Sequence, residues 1–239
     1  NPNHIIPEKI NIEIQYEDQD LIVINKKSGI ISHPAVGNNN GTLANGLAYM
    51  YPELQNLPRS GLIHRLDKDT TGLLIVARNI QSYTKLVKNM QERNIDKFYI
   101  AYTYGLILKN NNINYPISRH KIDRKKMSVN INGKEAITNY EVTKNYRNYS
   151  KLKIKLLTGR THQIRVHMQY VGYPLIGDKT YGQGKKKNGV SCNFIKKFPR
   201  QALHAEKLEF KHPVTKELIK IKSPLPDDLV NLEKYLENE

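Results

Sequence analysis

Hydrophobic and polar positions alternate early in the chain. Ile12, Ile14 and Tyr16, then Leu21, Val23 and Ile24, predict short strands across 10–24, broken by the turn-like run Glu17-Asp18-Gln19-Asp20. Residues 25–41 read as loop, and Thr42 is placed to cap a helix carrying Leu43, Leu47 and Met50, with Pro52 just past its end. The continuous apolar run from Gly72 to Ala77 has the length of a buried strand, and Ser82 to Arg93 repeats Tyr83, Leu86, Val87 and Met90 at helical spacing.

The second half continues in the same manner. Lys97 to Gly105 is an aromatic-rich strand, and a basic hairpin surrounds Arg124. Two more strands follow over 136–143 and 151–157, the latter setting Leu152, Ile154 and Leu156 against Lys151, Lys153 and Lys155. Thr161 is expected to start a short helix with Ile164, Met168 and Val171 on one face, closed by Gly172. A hairpin pairs 208–210 with 218–221 around His212-Pro213, and 227–236 forms a terminal amphipathic helix. Strands outnumber helices and are often hairpin-linked, which predicts an α+β fold with a largely antiparallel or mixed sheet. A chain of 239 residues fits one large domain or two small ones.

Charge adds a partner. Lys and Arg number 38 against 22 Asp and Glu, a net +16, which favours a polyanion because cations that neutralise phosphates release counterions. The basic residues cluster at 120–126 and at Lys185-Lys186-Lys187, while the end from Asp227 is acidic. A single cysteine, Cys192, excludes an internal disulfide framework and a cysteine-based zinc module, and fits a reducing, cytoplasmic setting. No apolar run reaches the roughly 20 residues of a membrane helix, so a soluble protein is expected.

Two constellations carry candidate chemistry. His64-Arg65-Leu66-Asp67-Lys68-Asp69-Thr70-Thr71-Gly72 packs carboxylates, cations and hydroxyls into a loop leading to a buried strand, where a rigid scaffold can hold them. Arg65 and Lys68 flank Asp67 and favour the carboxylate form that a nucleophile or base needs. A surface turn with ion pairs explains the same residues. The second constellation, Thr158 to His167, sets two arginines, two histidines and a glutamine at a strand-to-helix junction, where Arg165, about 100° round the helix from Ile164, can reach a cleft and pair with a loop carboxylate. A solvated helix start is the alternative. His162 and His167 lie five apart, off a shared helical face, and no His-Glu-x-x-His spacing occurs, so no metal is expected. The glycines at 37–42 and 182–186 lack the order of a phosphate loop.

Taken together, these segments resemble the RluA-type pseudouridine synthases. The resemblance rests on His64 to Leu74, Lys97-Phe98-Tyr99-Ile100-Ala101 and Gly159 to His167. It extends through Pro174 to Asp178, Arg200 to Ala205 and Pro224 to Pro226, and also covers Tyr16-Glu17-Asp18, His33-Pro34 and Gly41-Thr42. It implies the pseudouridine synthase fold, a mixed, mostly antiparallel sheet flanked by helices and loops with the active-site cleft across it. It also implies a catalytic domain over 13–239, with 1–12 as a linker following an N-terminal RNA-binding S4 domain.

The family's functional residues fall on Asp67 as the essential aspartate, Tyr99 against the target base and Arg165 paired with the aspartate. Arg65 falls on the side chain that fills the space left by the flipped base, and Leu203 on an apolar wall. His64, Thr70, Arg160, His162, Gln163, Lys125 and Lys126 are the remaining expected RNA or cleft residues. The resemblance implies isomerisation of uridine in 23S ribosomal RNA of the large subunit, in the helix 69 stem-loop, by a cytoplasmic monomer without cofactor or metal. Asp67 either attacks C1′ or removes a sugar proton to give a glycal. The alternatives are other ribosomal or transfer RNA sites, or a non-catalytic RNA-binding assembly factor, which need not keep Asp67, Tyr99 and Arg165 together.

Overall fold

The computed structural model describes residues 5–34, 39–182 and 193–239, so the lysine run at 185–187 and Cys192 lie outside the described residues. The elements are β1 (Glu13–Glu17), β2 (Leu21–Lys26), α1 (Leu43–Met50), β3 (Thr71–Ala77), α2 (Ile80–Gln91) and β4 (Ile95–Tyr104). Then come β5 (Asn111–Asn114), β6 (Ile117–Arg119), β7 (Met127–Val129), β8 (Ile137–Asn145) and β9 (Tyr149–Leu156). The chain ends with α3 (Gln163–Tyr170), α4 (Asn193–Lys196), β10 (Leu203–Lys211), β11 (Leu218–Lys222) and α5 (Asp227–Glu237). The chain forms two compact units: 1–96 with 206–223, and 97–205 with 224–239.

In the first unit β1, β2 and β3 pair antiparallel, and the later part of β10 forms a hairpin with β11. All seven residues of β3 are buried, as its unbroken apolar run requires. Leu21 and Val23 of β2, Leu73 and Ile75 of β3, and Leu208 and Phe210 of β10 share one core with Leu86 of α2. Thr42 caps α1 in a reciprocal box, its Oγ1 accepting from Asn45 N while Asn45 Oδ1 accepts from Thr42 N at 3.0 Å. The second helix starts at Ile80, two residues ahead of Ser82, because Asn79 supplies the cap and its Oδ1 accepts from Ser82 N at 2.8 Å.

The second unit holds the antiparallel series β4-β9-β8-β5 and the separate hairpin β6-β7. Along β9 the alternation holds: Leu152, Ile154 and Leu156 are buried, with the lysines between them more exposed. Helix α5 is fastened by Glu233, whose carboxylate accepts from Tyr102 Oη at 3.1 Å, Tyr146 Oη at 3.2 Å and Lys151 Nζ at 2.5 Å. Burial alone would raise the Glu233 carboxyl, but the hydrogen bonds from Lys151 and the two tyrosines outweigh it and hold it below the ordinary range. Leu229, Leu232 and Leu236 of the same helix pack with Ile100, Tyr102 and Ile176.

Two expectations need correction. Helix α3 begins at Gln163, not Thr161, because His162 at its N-cap takes the left-handed conformation, φ 56°, which lies outside a helix. The hairpin strand expected at 208–210 runs from Leu203, and β5 forms where the sequence pattern predicts no strand. Among the described residues no helix is long and apolar enough to cross a membrane.

Candidate active site

The Asp67 loop lies in the first unit, on the segment entering β3, and main-chain anchors hold it from several sides. Ser32 Oγ donates to Leu66 O at 3.0 Å and accepts from Leu66 N at 3.3 Å. Lys26 is 2% exposed, and its ammonium donates to the carbonyls of Lys27, Ile30 and Lys68 at 2.9, 2.9 and 2.8 Å. Three carbonyl acceptors match the three N–H donors of an ammonium, which is how so deeply buried a cation is satisfied. Gly29 N also bonds to Lys68 O at 3.1 Å, and Thr70 N to Asp67 O at 3.1 Å closes the turn.

His64 Nε2 accepts from Ile75 N at 3.0 Å, tying the loop to β3. Asp67 is partly exposed, Arg65 is exposed and Thr70 is buried, so the loop presents the carboxylate and the arginine from a fixed backbone.

Tyr99, Arg165 and Leu203 lie in the second unit. Tyr99 sits in the middle of β4 opposite Ile154 and is 6% exposed. Arg165, also 6% exposed, is held by a residue to which sequence reasoning gave no role. Asp178 Oδ2 accepts from Arg165 Nε at 2.7 Å and Oδ1 from Nη2 at 3.0 Å, a two-pronged pair with the aspartate side chain fully buried. A guanidinium carries five N–H donors and Asp178 takes two, so the same group can serve a second acceptor.

Asp178 Oδ1 also receives the amides of Thr180 and Tyr181 at 2.9 and 3.0 Å, and Tyr181 lays its ring 5.0 Å from the Arg165 guanidinium carbon. Gly177, just before Asp178, lets the chain pass close against the backbone of Arg200. Its φ is +73°, and a Cβ there would stand 2.0 Å from Arg200 O. The one signal in the sequence was the carboxylate of Gly177-Asp178, a short distance beyond the arginine helix.

The start of α3 is a closed hydrogen-bond network. Gln163 Oε1 accepts from Thr158 Oγ1 at 2.8 Å and Arg160 N at 2.9 Å, while its Nε2 donates to Ile137 O at 3.0 Å and Thr138 Oγ1 at 2.9 Å. Its full amide capacity is spent on positioning the helix. Arg160 Nε donates to Glu135 O at 2.8 Å, and His162 Nδ1 lies 2.8 Å from the Tyr181 hydroxyl.

His167 is fully buried. Its Nε2 faces Tyr115 O at 2.9 Å and its Nδ1 faces Thr138 Oγ1 at 2.9 Å, which assigns the proton to Nε2. Burial holds its pKa below the ordinary range, with the bond to Tyr115 opposing in part. Leu203 is buried, and Arg200 fixes its backbone: Nη1 donates to Leu203 O at 3.1 Å while Nε and Nη2 grip Asp228 at 2.6 and 2.9 Å. Lys125 and Lys126 lie in the 120–126 loop of the β6-β7 hairpin, Lys125 exposed and Lys126 partly so.

One acidic cluster tests the expectation of no metal. Ligand atoms of Asp18, Asp20 and His212 in the first unit lie within 4.8 Å of one another. His212 Nδ1 accepts the amides of Val214 and Thr215 at 3.2 and 3.0 Å, which puts the ring proton on Nε2, and Nε2 donates to Asp18 at 3.0 Å. Tyr16 Oη donates to the same carboxylate at 2.6 Å, and that bond with burial pushes the phenol up to about 12. The cluster is satisfied by its own hydrogen bonds, and a metal-ligating role would require the histidine to surrender its proton.

The RNA pseudouridylate synthase family model matches residues 20–170. The chain is 47% identical over 229 residues to ribosomal large subunit pseudouridine synthase D of Haemophilus influenzae, covering 94% of this chain and 71% of that protein. It is 44% identical over 238 residues to the protein of the same name from Pseudomonas aeruginosa, covering 98% and 74%.

Among solved structures, human RNA Pseudouridylate Synthase Domain Containing 4 superposes with a TM-score of 0.74 at 23% identity, over 94% of this chain and 93% of that one, which shows a shared fold. Human RNA Pseudouridylate Synthase Domain Containing 1 gives 0.69 at 27% identity, over 96% of both chains. The α+β pseudouridine synthase fold expected from the resemblance is therefore borne out. With the family matched across most of its length, the chain belongs to the RNA pseudouridylate synthases and is an RNA pseudouridine synthase.

Proposed function

We propose that the protein isomerises uridines of large-subunit ribosomal RNA, with Asp67 as the reacting carboxylate and Tyr99 and Arg165 as its partners. The observation that carries the substrate is the 47% identity, over 94% of the chain, to a relative named as a ribosomal large subunit synthase. Within that RNA the helix 69 stem-loop is the proposed target, on the family resemblance.

Uracil leaves C1′ of its ribose, turns, and rejoins through C5; the C5 proton is lost and N1 gains one, so the product is an isomer. No redox partner, nucleotide energy source or metal enters the balance. Asp67 acts either by attack on C1′ or by removing a sugar proton, and both need the carboxylate anion. The clamped backbone around Leu66 and Lys68 supports this role, since a reacting group gains most when its position is fixed beforehand.

Arg165 is the proposed counter-charge to Asp67, its orientation set by Asp178. Tyr99 offers a ring to the flipped base and a hydroxyl for proton movement at C5. Extruding the uridine costs a few kcal/mol, and Arg65, an exposed side chain, is the group proposed to fill the vacated stack.

Pseudouridine mapping of ribosomal and transfer RNA from cells with and without the protein tests the assignment. Loss confined to large-subunit rRNA is the expected result. Loss confined to transfer RNA, or no loss, contradicts it.

A further inference from the structure

The β6-β7 hairpin and helix α3 enclose a groove of about 410 Å³ that the reaction chemistry does not use. Its polar lining includes His120, Lys126, Ser128, Gln169, Tyr170 and Thr180, and among the described residues that line it none is Asp or Glu. The volume lies within the roughly 300–1,000 Å³ of small-ligand sites, room for a nucleotide but not a duplex.

Tyr170 is 52% exposed at the edge of this groove, and its ring packs on the half-exposed Tyr115 at 4.8 Å between centroids. An exposed ring supported from one side is a stacking platform. His120 Nδ1 accepts the amides of Ile122 and Asp123 at 3.3 and 3.0 Å, which places its proton on Nε2 as a donor. Among the described residues the Lys126 ammonium pairs with Asp123 across an exposed contact of 3.6 Å, a pairing weak enough to give way to phosphate. One lysine, an open aromatic face, a histidine N–H and neutral polar side chains are the chemistry of a single-stranded RNA site.

We propose that this groove holds a second, unpaired nucleotide of the substrate RNA, separate from the reacting uridine. The base stacks on Tyr170, Ser128, Gln169 and Thr180 face its edge, and Lys126 and His120 receive its phosphate. This site rests on the RNA synthase reading and adds to it a determinant of which RNA is chosen.

Two measurements on the full chain test it. In the first, Tyr170→Ala is assayed for turnover on a large-subunit rRNA transcript; the expected result is a KM raised about fivefold or more, exceeding any fall in kcat, with recovery in Tyr170→Phe. An unchanged KM overturns the proposal. In the second, a single-stranded oligonucleotide carrying 4-thiouridine is photo-cross-linked to the protein and the attachment sites are mapped. Cross-links at the hairpin or at Tyr170, diminished by Tyr170→Ala, support the groove; cross-links only elsewhere overturn it. If the wild-type protein leaves the rRNA transcript unmodified, the ribosomal assignment fails while the cross-linking result still decides the groove.

Discussion

Asp178→Asn isolates the setting of Arg165 from the arginine itself. Oδ1 of Asp178 serves three donors, Arg165 Nη2 and the amides of Thr180 and Tyr181, whereas Oδ2 faces Arg165 Nε at 2.7 Å. An asparagine that keeps its oxygen on the three-donor side turns its NH₂ toward Nε–H, so donor meets donor. The lost charge-assisted bond costs about 1.5–3 kcal/mol, rising to about 3–5 kcal/mol because a buried guanidinium also loses its counter-charge. For a urea slope of about 2–3 kcal/mol/M, the midpoint drops by about 1–2 M.

The catalytic consequence is a fall in kcat on the order of 10²-fold, the penalty for a misplaced group, with a smaller change in KM. Denaturation and single-turnover pseudouridine formation measure the two effects separately. A variant with lowered stability but wild-type kcat would show that Asp178 serves only the fold. Unchanged stability and unchanged kcat together would refute the pairing. In a double-mutant cycle, adding Asp178→Asn to Arg165→Met should cost little beyond Arg165→Met alone, since the two side chains act as one unit.

Lys26→Met strips a donor from three carbonyls around the Asp67 loop; Lys68 O keeps its bond from Gly29 N, and the carbonyls of Lys27 and Ile30 lose the ammonium at about 1–3 kcal/mol for each acceptor left unmet before water intervenes. Thermal melting should fall, and kcat with it, while RNA affinity stays near wild type. For His167, whose pKa burial lowers from the ordinary 6.5, the unfolded chain holds more protons than the folded one just below that pH. Its contribution is therefore complete above pH 6.5 and is lost as pH falls toward the lowered folded value. His167→Gln should flatten that part of a urea midpoint-against-pH curve, and an unchanged curve would contradict it. Replacing Lys125 and Lys126 with Gln should weaken RNA binding most at low salt and reduce the log–log salt slope by about one for every phosphate that is no longer neutralised, measured by filter binding.

Much of the fold was legible because it depends on local pattern. The apolar run of β3, the lysine–leucine alternation of β9 and the Thr42 cap all state their structure within a few residues. Strand β5, reading Asn-Asn-Ile-Asn, has one apolar residue and almost no strand propensity; its pairing with β8 defines it. The start of α3 escaped for a related reason, since nothing local marks His162 as left-handed, and its hydroxyl partner Tyr181 lies 19 residues on.

The candidate site divides the same way. Asp67, Tyr99 and Arg165 stand in recognisable motifs, but the groups that hold them are distant in sequence: Ser32 for Leu66, Lys26 for Lys68, and Asp178 for Arg165. Gln163, expected at the cleft or on RNA, spends its amide inside the second unit, a fact only the packed structure reveals.

Asp67→Asn decides whether one carboxylate performs the reaction. The variant exchanges the anion for a neutral group of nearly the same shape on a loop whose backbone is fixed by Ser32 and Lys26. Single-turnover conversion of uridine in a large-subunit rRNA transcript should disappear while RNA binding persists. Pseudouridine formed at a rate near that of the wild type would exclude Asp67 as the reacting group.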